Sequence, residues 1–382
     1  MPTACVVGAG FVGPAHVEAL RRNGIEVRSL VADGNGEARR RAAELHIPAA
    51  YGSLEEALGD GDSGDVFHLA VPNVLHAPYA RAALAAGRHV VCEKPLAMTS
   101  QESAELVSIA AASGKVAAVS YNLRFYPLVR EARERIAGGE TGRILAVHGS
   151  YLQDWLLYDT DWNWRLESGK GGALRAVADI GTHWLDMVSW ATGLRVERVF
   201  ADFSTVHPIR RRPKGEVRTF AGASDAAREE VAVDTEDLAT ILLRLEGGVR
   251  GSLVVSQVSA GRRNSLSFEI DGEKEALAWN SEEPNRLWIG HRDRANEILE
   301  KVPAHLSPAA AALSAYPGGH QEGYPDTFRG LCAAVYGYIA RGDYAAQRDF
   351  PTFEDGHREM LLCDALLRSA RTERWVDVRE EV

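Results

Sequence analysis

Residues 3–13 read Thr3-Ala4-Cys5-Val6-Val7-Gly8-Ala9-Gly10-Phe11-Val12-Gly13, with Pro14-Ala15-His16 directly after. A strand-like apolar run passes straight into closely spaced glycines. Glycines so placed are costly unless something must come very near the backbone. The surroundings indicate what that is. A strand precedes them, a helix follows, and a second strand, Ile25 to Asp33, lies beyond. This is the βαβ setting of a dinucleotide-binding fingerprint. Gly8 permits the tight turn, Gly10 admits a pyrophosphate to the backbone, and Gly13 lets helix and strand pack closely. The phosphates meet free N–H groups at the helix N-terminus, where the helix dipole favours an anion. Pro14 fits the first turn, where no N–H is needed. Asp33 ends the second strand, placed to bond a ribose 2′-hydroxyl and to repel a 2′-phosphate, which favours NAD over NADP. Two alternatives stand beside this one. The turn could serve without a ligand, or Arg39-Arg40-Arg41 could hold the 2′-phosphate of NADP, although a solvated helix face explains that run equally well.

The alternation continues outward. Apolar strands are expected at 3–8, 26–32, 65–71, 88–92 and 116–120, and helices at 12–23, 36–45, 74–86 and 100–113. Such an order means a parallel sheet with helices on both faces. Beyond residue 122 the pattern changes. A helix at 126–138 leads to a long strand at 142–153, a tryptophan-rich stretch, a helix near 182–191, successive strands from 194 to 300, and helices at 325–341 and 354–370. Glu246-Gly247-Gly248 signals a hairpin. The polar stretch 207–233, with Arg210-Arg211-Arg212-Pro213-Lys214, reads as a surface loop. The expected class is α/β: a doubly wound Rossmann domain over 1–122 and an α+β domain with a large open sheet over 123–382.

Composition bounds the function. A chain of 382 residues suits two domains. Apolar residues at 46% and charged residues at 25% are ordinary globular values. A net charge of −10 argues against nucleic acid as a partner. No apolar run approaches the ~20 residues of a membrane span, and the first residues lack the pattern of a secretory signal. The four cysteines are far apart and form no CxxC, which suits buried thiols in a reducing compartment. A cytoplasmic location is expected.

In open α/β sheets, ligands bind beyond the carboxyl ends of the strands. The strand at 65–71 ends in Ala70-Val71-Pro72-Asn73, with His76 just after, and the strand at 88–92 leads into Glu93-Lys94-Pro95. A lysine before proline is held out of helical geometry, in a bond of the type that adopts cis. Lys94 is either a fixed cation beside a nicotinamide or a surface lysine of a βα loop. The expected cofactor-binding set is Gly8, Gly10, Phe11, Val12, Gly13, Asp33, Val71, Pro72, Asn73, His76, Glu93 and Lys94.

In the second half, Asp179-Ile180-Gly181-Thr182-His183-Trp184-Leu185-Asp186 places a carboxylate and an imidazole four residues apart. On a helix they lie within reach of each other. A carboxylate on one ring nitrogen fixes the tautomer and raises the basicity of the other. The histidine could equally be structural. Asp179, His183 and Asp186 make a poor metal site, so no metal is expected. Trp155, Tyr158, Trp162 and Trp164 offer flat faces to a sugar ring, and Asn163 and Arg165 could bind its hydroxyls. Aromatic packing explains the cluster equally well. Tyr121, Arg124 and His320 are further substrate-side candidates, although a helix-start loop is the simpler account of His320.

GAGFVG at 8–13, AVPN at 70–73, EKP at 93–95 and DIGTH at 179–183 together resemble the glucose–fructose oxidoreductase/inositol dehydrogenase/MocA family, over essentially the whole chain. The specific part is EKP followed by DxGxH, with Asp179 standing 85 residues after Lys94. The resemblance implies a Rossmann domain followed by a domain with a large, mostly antiparallel sheet, whose exposed face makes a homodimer or homotetramer. It also implies oxidation of a secondary alcohol of a sugar, sugar derivative or cyclitol by NAD(P), or the reverse. Lys94, Asp179 and His183 correspond to the family's catalytic groups, and Trp164-Arg165 resembles its Trp-Arg element. Two other activities occur in such folds: a glycosidase with transient oxidation, and a non-catalytic NAD-binding regulator. The presence of Lys94, Asp179 and His183 argues against the regulator. One departure stands out: the path from Gly172 to Asp179 is longer than is usual in the family.

Overall fold

The computed structural model describes residues 1–214 and 227–378. They form two compact units. The first is Met1–Asn122 with Gly169–Gly172 and Phe328–Met360; the second is Leu123–Ser168 with the described residues of 173–327 and 361–378.

The first unit carries β1 (Ala4–Val7), β2 (Val27–Val31), β3 (Ala49–Tyr51), β4 (Val66–Leu69), β5 (His89–Cys92) and β6 (Ala117–Val119). All pair in parallel, in the order β3-β2-β1-β4-β5-β6. The order reverses at β1, and a dinucleotide lies at such a switch point. Every residue of β1, β4 and β5 is buried, which is why these strands read as unbroken apolar runs. Helix Ser100–Ser113 starts where Thr99 accepts the Glu102 N–H, the capping interaction that favours a Thr N-cap. No sequence pattern marks strand β3. Its three half-buried residues have neither length nor alternation, and only pairing with β2 makes them a strand.

The second unit is built on β7 (Ile144–Leu152), β8 (Val196–Ser204), β9 (Ile209–Pro213), β10 (Arg228–Ala232), β11 (Leu238–Leu245), β12 (Arg250–Ser256), β13 (Ser265–Gly272), β14 (Ala276–Asn280), β15 (Arg286–Gly290), β16 (Glu297–Glu300) and β17 (Val376–Asp377). Nine of these strands form one sheet, ordered β16-β15-β14-β13-β7-β12-β11-β8-β17. Only β7 and β12 pair in parallel there. Period-two burial marks the two faces: Ala239, Ile241 and Leu243 of β11 are buried, whereas Thr240 and Leu242 are exposed. Helix Thr182–Thr192 covers the buried face. Its Trp184 donates the indole N–H to Ser267 O at 2.8 Å, and a Cβ on Gly149 of β7 would sit 2.6 Å from that indole nitrogen.

The reading of 207–233 as a surface loop needs correction. β9 and β10 form an antiparallel pair, and Arg210 on β9 is fully buried. The partners that permit this lie elsewhere in the chain, so the basic run looked solvated. Residues 215–226 of that stretch lie outside the described residues.

Candidate active site

The glycine turn separates into two kinds of position. Gly8 has φ +105°, a region closed to most side chains, and a Cβ there would sit 2.1 Å from Ala70 O. A Cβ on Gly13 would sit 2.1 Å from Gly8 O. The protein's own packing demands both glycines. Gly10 differs: no described atom lies within 4 Å of where its Cβ would be. A methyl there would instead enter the cradle that a pyrophosphate needs. The residues present therefore fit a dinucleotide. Phe11 stands 56% exposed beside this turn, and Val12 opens the helix Val12–Arg22.

Asp33, at the end of β2, is exposed, and its side chain does not cap the helix Gly34–Glu44 that follows. That leaves the carboxylate available to a ribose. Two of the three arginines weighed for NADP are engaged. Arg40 pairs with Glu37 and Glu44, and Arg41 pairs with Glu44 while bonding Ala9 O at 2.7 Å.

The other strand ends are tied together by side chains. Val71 and Pro72 follow β4, and Asn73 donates to Gly171 O at 2.8 Å. His76 is buried with one ring nitrogen 2.6 Å from Pro95 O and the other 2.8 Å from Val71 O. Burial pushes its pKa down, although both carbonyl contacts oppose this. His76 thus braces the segments that follow β4 and β5. The Lys94–Pro95 peptide is cis, and Lys94 is half-buried. Glu93 is buried, and its Oε1 lies 3.0 Å from His16 Nε2. Burial alone would raise its pKa, but the His16 bond and the charges of His16 and Lys94 prevail and bring the carboxyl down to about 2.

His16, directly after the glycine turn, links this carboxylate to further buried rings. Its Nδ1 lies 3.0 Å from His68 Nδ1, and His68 Nε2 lies 3.0 Å from Tyr336 OH. The available signal was periodicity, because His16 shares the buried helix face with Gly13, Val17 and Leu20.

In the second unit, Asp179 lies within a π-helical turn, Val177–Gly181, that runs into helix Thr182–Thr192 carrying His183. One Asp179 oxygen accepts from Arg165 Nε at 3.0 Å and the other from Gln257 Nε2 at 2.9 Å. His183 is buried, 6% exposed, with its ring centroid 6.4 Å from that of Tyr151. Tyr151 OH donates to Asn264 Oδ1 at 2.8 Å. The Arg165 guanidinium carbon also sits over Trp164, 4.4 Å from the ring centroid.

Several candidates have structural partners instead. Arg124 and Asp186 form a buried bidentate ion pair, which takes Asp186 out of any metal set with Asp179 and His183. Trp162 packs with Leu156, Leu166 and Val233 under the Arg212 guanidinium. Tyr121 belongs to the hydrophobic cluster of the first unit. His320 is exposed, its ring 3.3 Å from Gly318 O in its own turn.

Known proteins resemble this chain over nearly its whole length. Residues 3–121 match an oxidoreductase family with an NAD-binding Rossmann fold, and residues 129–278 match the Gfo/Idh/MocA C-terminal domain. Levoglucosan dehydrogenase of Pseudarthrobacter phenanthrenivorans is 31% identical over 387 residues, spanning 98% of this chain and 97% of that protein. A structure of levoglucosan dehydrogenase with NADH and levoglucosan superposes at TM-score 0.88 and 29% identity, over 99% of both chains. An inositol dehydrogenase homologue of Azotobacter vinelandii, with NADH and myo-inositol, gives TM-score 0.86 and 26% identity, over 99% of this chain and 98% of that one. The fold, the matched oxidoreductase family and the dehydrogenases among its relatives together make this a nicotinamide-dependent oxidoreductase. The chain belongs to the Gfo/Idh/MocA family of such oxidoreductases.

Proposed function

We propose that this chain moves hydride between NAD and a secondary alcohol of a sugar, sugar derivative or cyclitol, with Lys94, Asp179 and His183 as its catalytic residues. Levoglucosan dehydrogenase and inositol dehydrogenase are named for a sugar derivative and a cyclitol, which supports that substrate class. The observation that carries the assignment is Asp179. Donors on both of its oxygens give the carboxylate one orientation, on the same helical stretch as a buried histidine.

When bound, NAD supplies the hydride acceptor of the oxidative direction. His183 takes the substrate's hydroxyl proton at a ring nitrogen. Asp179 orients the imidazole and offsets the positive charge it gains. Lys94 supplies a positive charge that stabilises an alkoxide. In the reverse direction, His183 returns the proton. Asp33 selects NAD through the ribose hydroxyls.

Initial rates with a panel of sugars, anhydrosugars, polyols and cyclitols test this reading, with NAD and NADP assayed separately. Reduced nicotinamide should form with NAD. His183→Ala and Lys94→Ala should each lower kcat by about 10²–10⁴-fold while NADH affinity stays unchanged. Wild-type turnover in either variant removes that residue from the mechanism. Cleavage of a glycoside without net NADH would instead indicate transient oxidation.

The exposed Leu242, Val254 and Ile298 of the nine-stranded sheet support self-association as a homodimer or homotetramer. The cysteines are all buried, which suits the reducing cytoplasm. No described helix is long and apolar enough to cross a membrane.

A further inference from the structure

Two features have no place in the proposed reaction: the extra residues between Gly172 and Asp179, and the basic strand β9. Both lead to one buried carboxylate, Asp237. Arg175, on the path between Gly172 and Asp179, places Nη2 on Asp237 Oδ1 and Nε 3.1 Å from Thr235 Oγ1. Arg210, from β9, places Nη2 on the same Asp237 oxygen at 2.5 Å and gives its remaining bonds to the carbonyls of Leu156, Tyr158 and Asp161. Asp237 Oδ2 accepts the His207 N–H at 3.1 Å. Arg175, Arg210, Asp237 and Gln257 are each at most 1% exposed. Charges so far from water persist only where they are paired and hydrogen-bonded.

Gln257 connects this cluster to the candidate site. Its Oε1 accepts from Arg175 Nη1 at 3.1 Å, and its Nε2 donates to Asp179 Oδ2 at 2.9 Å. A glutamine amide can sit either way round, but a guanidinium offers only donors. Arg175 therefore holds the amide oxygen on its own side and turns the NH₂ toward Asp179. The reverse orientation would set the amide oxygen against a carboxylate. The backbone takes part as well. Glu236 accepts the N–H groups of Arg175 and Val177 at 2.9 and 2.8 Å, where the π-helical turn begins. Such a turn absorbs extra residues within a helix and recurs at functional sites.

We propose that Gln257, oriented by Arg175, is a positioning residue that fixes the Asp179 carboxylate, and that the longer path from Gly172 to Asp179 exists to deliver Arg175 to it. The inference rests on the reading of Asp179 and His183 as the acid–base pair.

Three variants test it: Gln257→Met, Gln257→Glu and Arg175→Lys. Each is assayed with NAD and a responsive sugar or cyclitol, beside Asp179→Asn and His183→Ala. Gln257→Met should lower kcat by about 10–100-fold, the scale of a misplaced catalytic group. KM for the alcohol and the Kd of NADH should stay near wild type. Gln257→Glu keeps a partner for Arg175 but faces Asp179 with a second carboxyl. Two carboxyls in contact share a proton, so the acid limb of the kcat–pH profile should move up by about one pH unit. Arg175→Lys keeps the charge beside Asp237 but loses the guanidinium fork, and should fall between wild type and Gln257→Met. Should Gln257→Met fail to fold, Gln257→Glu decides through the pH profile. Wild-type kcat and an unmoved acid limb in the folded Gln257 variants, with Asp179→Asn and His183→Ala inactive, overturn the positioning role and leave the reaction intact. Full activity in Asp179→Asn marks failure of the catalytic reading itself.

Discussion

Asp33 and Glu93 are carboxylates that follow two strands of the same sheet, and their surroundings assign them opposite work. Asp33 is exposed, and its side chain caps nothing in the helix it precedes. Glu93 is buried against His16 and holds its strand end from within. The first is therefore the residue to alter for cofactor choice. Replacing Asp33 by Ser removes the charge that repels a 2′-phosphate. It should raise KM for NAD by about tenfold, roughly one strong hydrogen bond to a charged group, and narrow the preference over NADP. Initial rates at varied concentrations of both cofactors measure this. An unchanged preference shows that Asp33 does not face the ribose.

The π-helical turn Val177–Gly181 brings a second buried carboxyl into play. Burial pushes the Glu236 pKa from 4.5 up to about 7, against the bonds it receives from Val177 and Arg175. The fold thus prefers the protonated form. Its contribution to stability is complete below the unfolded value near 4.5 and is lost as pH rises through about 7. The amplitude is of order 3 kcal/mol at most. Glu236→Gln keeps an acceptor oxygen for both N–H groups but cannot ionise. The melting temperature of the wild type should therefore fall relative to this variant between pH 5 and 8, by a few degrees. Parallel melting curves across that range rule out this titration. Comparison with the variant cancels the other buried groups, such as His68 and His89, whose pKa values burial pushes down.

The nine-stranded sheet gives the molecule a helix-covered face and a second face with Leu242, Val254 and Ile298 exposed at 44%, 37% and 55%. Leu242 and Val254 stand on neighbouring strands β11 and β12. Apolar side chains repeated across a sheet mark a surface for another protein chain. Wild-type protein should sediment as a dimer or tetramer. The double variant Leu242→Arg/Val254→Arg should sediment at a lower mass with its fold intact, because neither side chain enters the core. Monomeric wild-type protein under the assay conditions excludes association through this face.

The glycine turn, the alternating strands, the Thr99 cap and the Asp179–His183 spacing were legible because each is a local demand. A left-handed φ at Gly8, a close helix–strand contact at Gly13 or a helical repeat must be met by the residues at that place. Burial of charge is different, because it depends on which distant segment arrives. His16 meets Glu93 across 77 positions, Gln257 meets Asp179 across 78, and Arg124 meets Asp186 across 62. The same cause made Arg210 look like part of a solvated loop and left the three residues of β3 unread. The sequence by itself determined the dinucleotide fold and the family, and it supplied the candidates for the site. Tertiary structure alone decided which of those groups are held in one orientation, because a buried ion or amide is oriented only by partners that folding brings to it.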